Sequence, residues 1–134
     1  MATYRAVIFD LGGVVTGSPM PAIAAYEREQ GIAAGSLNRL IGATGAEGAW
    51  GRLERGLLTL SGFYSEFERD CAAGGYPQVS ARELLARMAE RSAARPQMLE
   101  ALRRIRAAGL LTAALTNNWK RAEDGDTGAG ELRA

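Results

Sequence analysis

With 134 residues, 47% of them hydrophobic and 23% charged, the chain has the composition of an ordinary globular domain able to bury a core. Its formal net charge of +1 carries no electrostatic footprint of nucleic acid, one cysteine permits no disulfide framework or zinc cluster, and with no histidine a Ser-His or Cys-His pair cannot be built. No secretory pattern precedes Tyr4 and no apolar run is long enough for a bilayer, so a cytoplasmic chain without membrane or nucleic-acid partners is the expectation.

The first predicted element is the apolar run Ala6-Val7-Ile8-Phe9, which reads as a strand buried on both faces, as in parallel sheets. Asp10 ends it, where open α/β sheets place their ligands. A carboxylate there either bonds nearby backbone amides or takes part in chemistry. Gly12 and Gly13 favour the second role, because they let backbone amides come close to a ligand. Residues 12–19 are too rich in glycine for a helix, and Val14-Val15-Thr16 has β character.

A run of helices follows. Residues 21–30 have Pro21 near the start, Ile23 and Tyr26 on one face and Gly31 as the stop. Residues 36–41 form a short helix with Ser36 as N-cap, and residues 42–48 are turn-rich. Residues 49–55 carry Trp50 and Leu53 and close on Gly56. Thr59 or Ser61 caps the next helix, where Phe63, Phe67 and Cys71 recur every fourth residue. These aromatics suggest core packing before a substrate grip, and Cys71 reads as a small buried apolar residue. Ser80 and Glu83 fit a capping box, and Pro96 opens a last helix that ends at Gly109. The second apolar run, residues 110–115, leads into Thr116-Asn117-Asn118. Two such runs with helical sequence between them suggest neighbours in one parallel sheet. Residues 119–134, glycine-rich and charged, are expected to be a frayed or disordered tail. Asp124 and Asp126 imitate a metal-binding pair but belong to no predicted strand.

Val7-Ile8-Phe9-Asp10 and Ala114-Leu115-Thr116-Asn117 together resemble the first two motifs of the haloacid dehalogenase superfamily of hydrolases. The wording around Asp10 is similar to the branch near the N-terminal phosphatase domain of soluble epoxide hydrolase and the dehalogenase-like domain of acyl-CoA dehydrogenase family member ten. The resemblance implies an α/β fold: a partial Rossmann-like core over residues 1–19 and 93–118, with an inserted α-helical cap over residues 20–92. Trp50, Arg55-Gly56 and Thr59 resemble a pattern of such caps. It implies Asp10 as nucleophile toward a small phosphorylated metabolite, with Thr116 and Asn117 in the catalytic set. Phosphate would be held by Thr116 and by amides around Leu11, Gly12 and Asn117, and Mg²⁺ by Asp10 and the Gly12 carbonyl.

Two departures accompany the resemblance. The general acid usual two residues after the nucleophile is replaced by Gly12, and such help is typically worth 10²–10⁴-fold. The family's third and fourth motifs, a Lys and metal-binding carboxylates, have no counterpart, and Lys120 stands too near Thr116 to serve. The expectation is a phosphomonoester phosphatase that is C-terminally truncated. Alternatives are an inactive remnant serving as an interaction module, with self-association through exposed core, and a metal-free 2-haloacid dehalogenase.

Overall fold

A computed structural model describes residues 4–117. In it the chain is a mixed α/β structure, mostly helical, with a two-stranded parallel sheet. Asn118, Lys120, Asp124, Asp126 and the tail expected over 119–134 lie outside the described residues. Strand β1 (Ala6–Asp10) pairs in parallel with β2 (Leu111–Leu115), in the register Ala6 to Leu111 through Asp10 to Leu115. Six helices separate them: α1 (Met20–Glu29), α2 (Ser36–Thr44), α3 (Ala49–Glu54), α4 (Leu60–Ala73), α5 (Ala81–Glu90) and α6 (Pro96–Ala107).

The apolar faces of α1 to α5 close on one another. Tyr26, Leu37, Leu53, Phe63, Phe67, Cys71 and Leu84 are fully buried there. Phe63 and Phe67 stack at 5.1 Å, and Trp50 meets both edge-on at 5.6 Å, so the aromatic cluster is packing, as its helical spacing implies. Burial, with help from Asp70 and Glu68, pushes the Cys71 thiol up to about 12, leaving it a protonated core residue. The Thr59 hydroxyl accepts from the Gly62 amide and the Ser80 hydroxyl from the Glu83 amide, as the local cap signals indicate.

Three local expectations change. Ser36 is the first residue inside α2 rather than its cap, which is Gly35, and the helix runs on to Thr44 before a short 3₁₀ turn, Gly45–Glu47. The stretch with β character after Asp10 forms no strand. It closes as a five-residue turn, Leu11–Val15, because Gly13 adopts a φ of +78° and both the amide and the hydroxyl of Thr16 donate to the Leu11 carbonyl. The strands, expected to be buried on both faces, are not: Ile8 is 66% exposed, Leu111 69% and Leu115 74%. Helix α6 packs against β2, and among the described residues nothing covers the other face.

The helices α1 to α5 pack among themselves, and the strand pair packs with α6 and the Leu11–Val15 turn. Two linkers join these groups. The Arg95 amide donates to the Val15 carbonyl at 2.8 Å and the Gly17 amide to the Ala93 carbonyl at 3.0 Å, on either side of an antiparallel bridge between Thr16 and Ala94.

Candidate active site

Parallel pairing decides what the strand tips bring together. Asp10, the last residue of β1, is the register partner of Leu115, the last residue of β2. Thr116 follows at once, on a strand about 4.8 Å away. The chain at Asp10 and at Thr116 therefore leaves the sheet at the same end, although about a hundred residues of helical chain separate them in sequence. The Leu11–Val15 turn bends the chain away directly after Asp10, with Gly12 at φ −65° and ψ 113° and Gly13 in the left-handed region.

The grouping is open. Asp10, Gly12, Thr116 and Asn117 are exposed and Leu11 is half-buried, while the Thr116 hydroxyl donates to the Asn117 carbonyl at 3.3 Å. Two hollows of the described surface lie elsewhere. One is lined by Ile41, Ala46, Trp50, Glu54 and Arg55, the other by Ala22, Ala25, Glu29 and Arg87, and neither includes a strand-tip residue. What stands at the tips is a carboxylate, a hydroxyl and a glycine turn on an accessible ledge. A carboxylate beside a hydroxyl can act as nucleophile and hydrogen-bond donor toward one anionic group.

Among the described residues no cluster of three or more His, Cys, Asp or Glu is placed to hold a metal ion. The strand tips offer two hard oxygens, the Asp10 carboxylate and the Gly12 carbonyl. Mg²⁺ commonly keeps several waters and takes one or two carboxylates plus substrate phosphate. This donor set thus fits the ion only together with a phosphorylated ligand.

Sequence reasoning missed the carboxylate of Glu27, which is buried and accepts from the Gly35 and Leu37 amides at 2.7 and 2.8 Å. Its position on the inward face of α1, one residue after Tyr26, was the available signal.

No protein-family profile matches the chain. Over 119 residues, 87% of its length, it is 34% identical to acyl-CoA dehydrogenase family member 10 of Mus musculus. The chain is thus similar to a segment of that protein and spans 11% of its length. Among the described residues no helix is long and apolar enough to cross a membrane.

Proposed function

We propose that the chain carries the nucleophile half of a haloacid dehalogenase-type phosphohydrolase site, with Asp10 as nucleophile and residues 20–92 as its helical cap. The observation that carries this reading is the parallel register that sets Asp10 beside the Leu115-Thr116 step. The mouse relative, named for acyl-CoA dehydrogenation, supports kinship over this segment only, and the dehydrogenase activity stays with that much longer protein.

In the proposed reaction an Asp10 oxygen attacks the phosphorus of a small phosphomonoester. The bond from phosphorus to the ester oxygen breaks, and an aspartyl-phosphate forms. Thr116 donates its hydroxyl to a phosphoryl oxygen, with the amides of Leu11, Gly12 and Asn117 as further donors and Asn117 helping to orient the group. The departing alkoxide takes its proton from water, since Gly12 has none to give, which restricts the site to good leaving groups. Water then attacks the phosphorus of the intermediate, releasing inorganic phosphate and restoring the Asp10 carboxylate. Asp10 and the Gly12 carbonyl are the residues that would hold Mg²⁺, which when bound offsets the repulsion between carboxylate and phosphate.

The test is p-nitrophenyl phosphate turnover by the full chain with and without Mg²⁺. Turnover that needs the metal and vanishes in Asp10→Asn is expected. A Cβ at Gly12 meets no atom within 4 Å and its φ suits any residue, so Gly12→Asp fits the backbone. That variant should act faster on poor leaving groups, by up to about 10²-fold. Absence of Asp10-dependent turnover in both forms would reject the reading. A second reading, a non-catalytic interaction module, is favoured by the apolar sheet face that no described residue covers.

A further inference from the structure

Two consecutive glycines make the turn after Asp10 soft. Gly12 at φ −65° and ψ 113° and Gly13 at φ 78° and ψ −4° have the angles of the central pair of a type II turn. The peptide between them can flip toward a type I turn at little steric cost, since neither residue carries a Cβ. A restraint on this turn therefore has to come from a neighbour, and Thr16 supplies one. Its amide and its hydroxyl both donate to the Leu11 carbonyl, at 2.9 and 3.0 Å, which uses both lone pairs of that oxygen. The pairing of the linkers makes this possible. In the antiparallel bridge between Thr16 and Ala94 the ladder bonds run from Arg95 to Val15 and from Gly17 to Ala93, so the Thr16 amide is turned away from Ala94 and toward Leu11.

The Leu11 carbonyl and the Gly12 amide belong to one peptide unit. No peptide bond among the described residues is cis, so these two groups point in opposite directions. Fixing the carbonyl toward Thr16 thus fixes the Gly12 N–H away from it. Gly12 is exposed, a Cβ there would meet no atom within 4 Å, and no described atom accepts from its amide. We propose that Thr16 is a positioning residue for the strand-tip ledge: the two bonds it donates to the Leu11 carbonyl aim the Gly12 amide at a phosphoryl oxygen. The class of ligand rests on the hydrolase reading, in which that amide is one of the phosphate donors. Thr16 itself touches no substrate. The Gly12 amide serves bound phosphate and transition state alike, so loss of Thr16 weakens binding and leaves the chemical step nearly unchanged.

The test is a titration of the isotope-labelled full chain with inorganic phosphate in the presence of Mg²⁺, followed by amide NMR. Thr16→Val removes the hydroxyl and Thr16→Ser keeps it. In the wild type the Gly12 amide resonance should move saturably with phosphate. Thr16→Val should need about tenfold more phosphate for half-saturation, the worth of one hydrogen bond to a charged group, and Thr16→Ser should restore the wild-type value. The amides of α4 report whether each variant keeps its fold, and Thr16→Ala replaces Thr16→Val if they move. With p-nitrophenyl phosphate, Thr16→Val should raise KM by about tenfold and change kcat by less than about twofold, a split that a loss of stability alone does not produce. The proposal is overturned by a Gly12 resonance that ignores phosphate, by a Thr16→Val chain that binds as the wild type does, or by a Thr16→Ser chain as weak as Thr16→Val. The titration involves no turnover. A wild type that binds phosphate at Gly12 yet shows no Asp10-dependent hydrolysis defeats the hydrolase reading and leaves the role of Thr16 standing.

Discussion

Glu27 shows how much one side chain can settle. It projects from α1 and is 1% exposed, and its two oxygens take the amides of Gly35 and Leu37 where α2 begins. Gly35 occupies the cap position at φ +76° and has no side chain to offer, so the acceptor comes from another helix. Two more carboxylates do the same: Asp70 accepts from the Ala49 amide at 2.8 Å and Glu68 from the Ala81 amide at 2.9 Å. An anionic oxygen at a helix N-terminus also opposes the helix dipole favourably. Glu27→Ala would leave the buried Leu37 amide and the partly buried Gly35 amide without partners and should lower unfolding free energy by about 2–3 kcal/mol, read from urea melts. Glu27→Gln keeps one acceptor oxygen and should cost less. Thr59 and Ser80 were legible in the sequence because a local cap lies within three residues of its donor. The cap of α2 was misassigned to Ser36 because its true acceptor sits on a different helix, eight residues back from Gly35.

Elements followed their sequence signals closely where the signal was periodic. The buried stripe of Phe63, Phe67 and Cys71 on α4 and the glycine stops at Gly31, Gly56 and Gly109, all with positive φ, were readable from spacing alone. The linkers were not, because their pairing depends on two backbones approaching from opposite ends of a helical segment. A Cβ at Gly17 would lie 2.1 Å from the Arg91 carbonyl oxygen, so only glycine allows that approach. Gly17→Ala must therefore push the linkers apart. Faster amide exchange at Gly17 and Arg95 is expected, with the protection of α4 unchanged, and hydrogen exchange resolved by residue would show it.

Among the described residues, the buried core lies in α1 to α5, and so do the groups whose titration is shifted. Burial raises Tyr26 above 10.0, and it raises Cys71 from 9.0 to about 12. Both hold their protons in the folded state where the unfolded chain has lost them. Their contribution is therefore full below pH 9 and drains away as pH climbs toward 12. Thermal melts should fall across that window, and Cys71→Ala should flatten the fall while lowering the melt at neutral pH through the cavity it leaves. The order of elements and the parallel pairing were legible from two apolar runs and the helices between them. Which strand faces end up covered was not, because that depends on what else packs there, and Ile8 reads the same either way. The pairing of Ala6 with Leu111 also bears on kinetics. Closing a loop of about a hundred residues costs entropy before any ladder bond rewards it, whereas α1 to α5 assemble from contacts nearby in the chain. The helices thus form early and carry the two strands to each other. Among the described residues, the ledge holding Asp10 is therefore expected to gain amide protection after α1 to α5 on folding, which pulse-labelled hydrogen exchange would read.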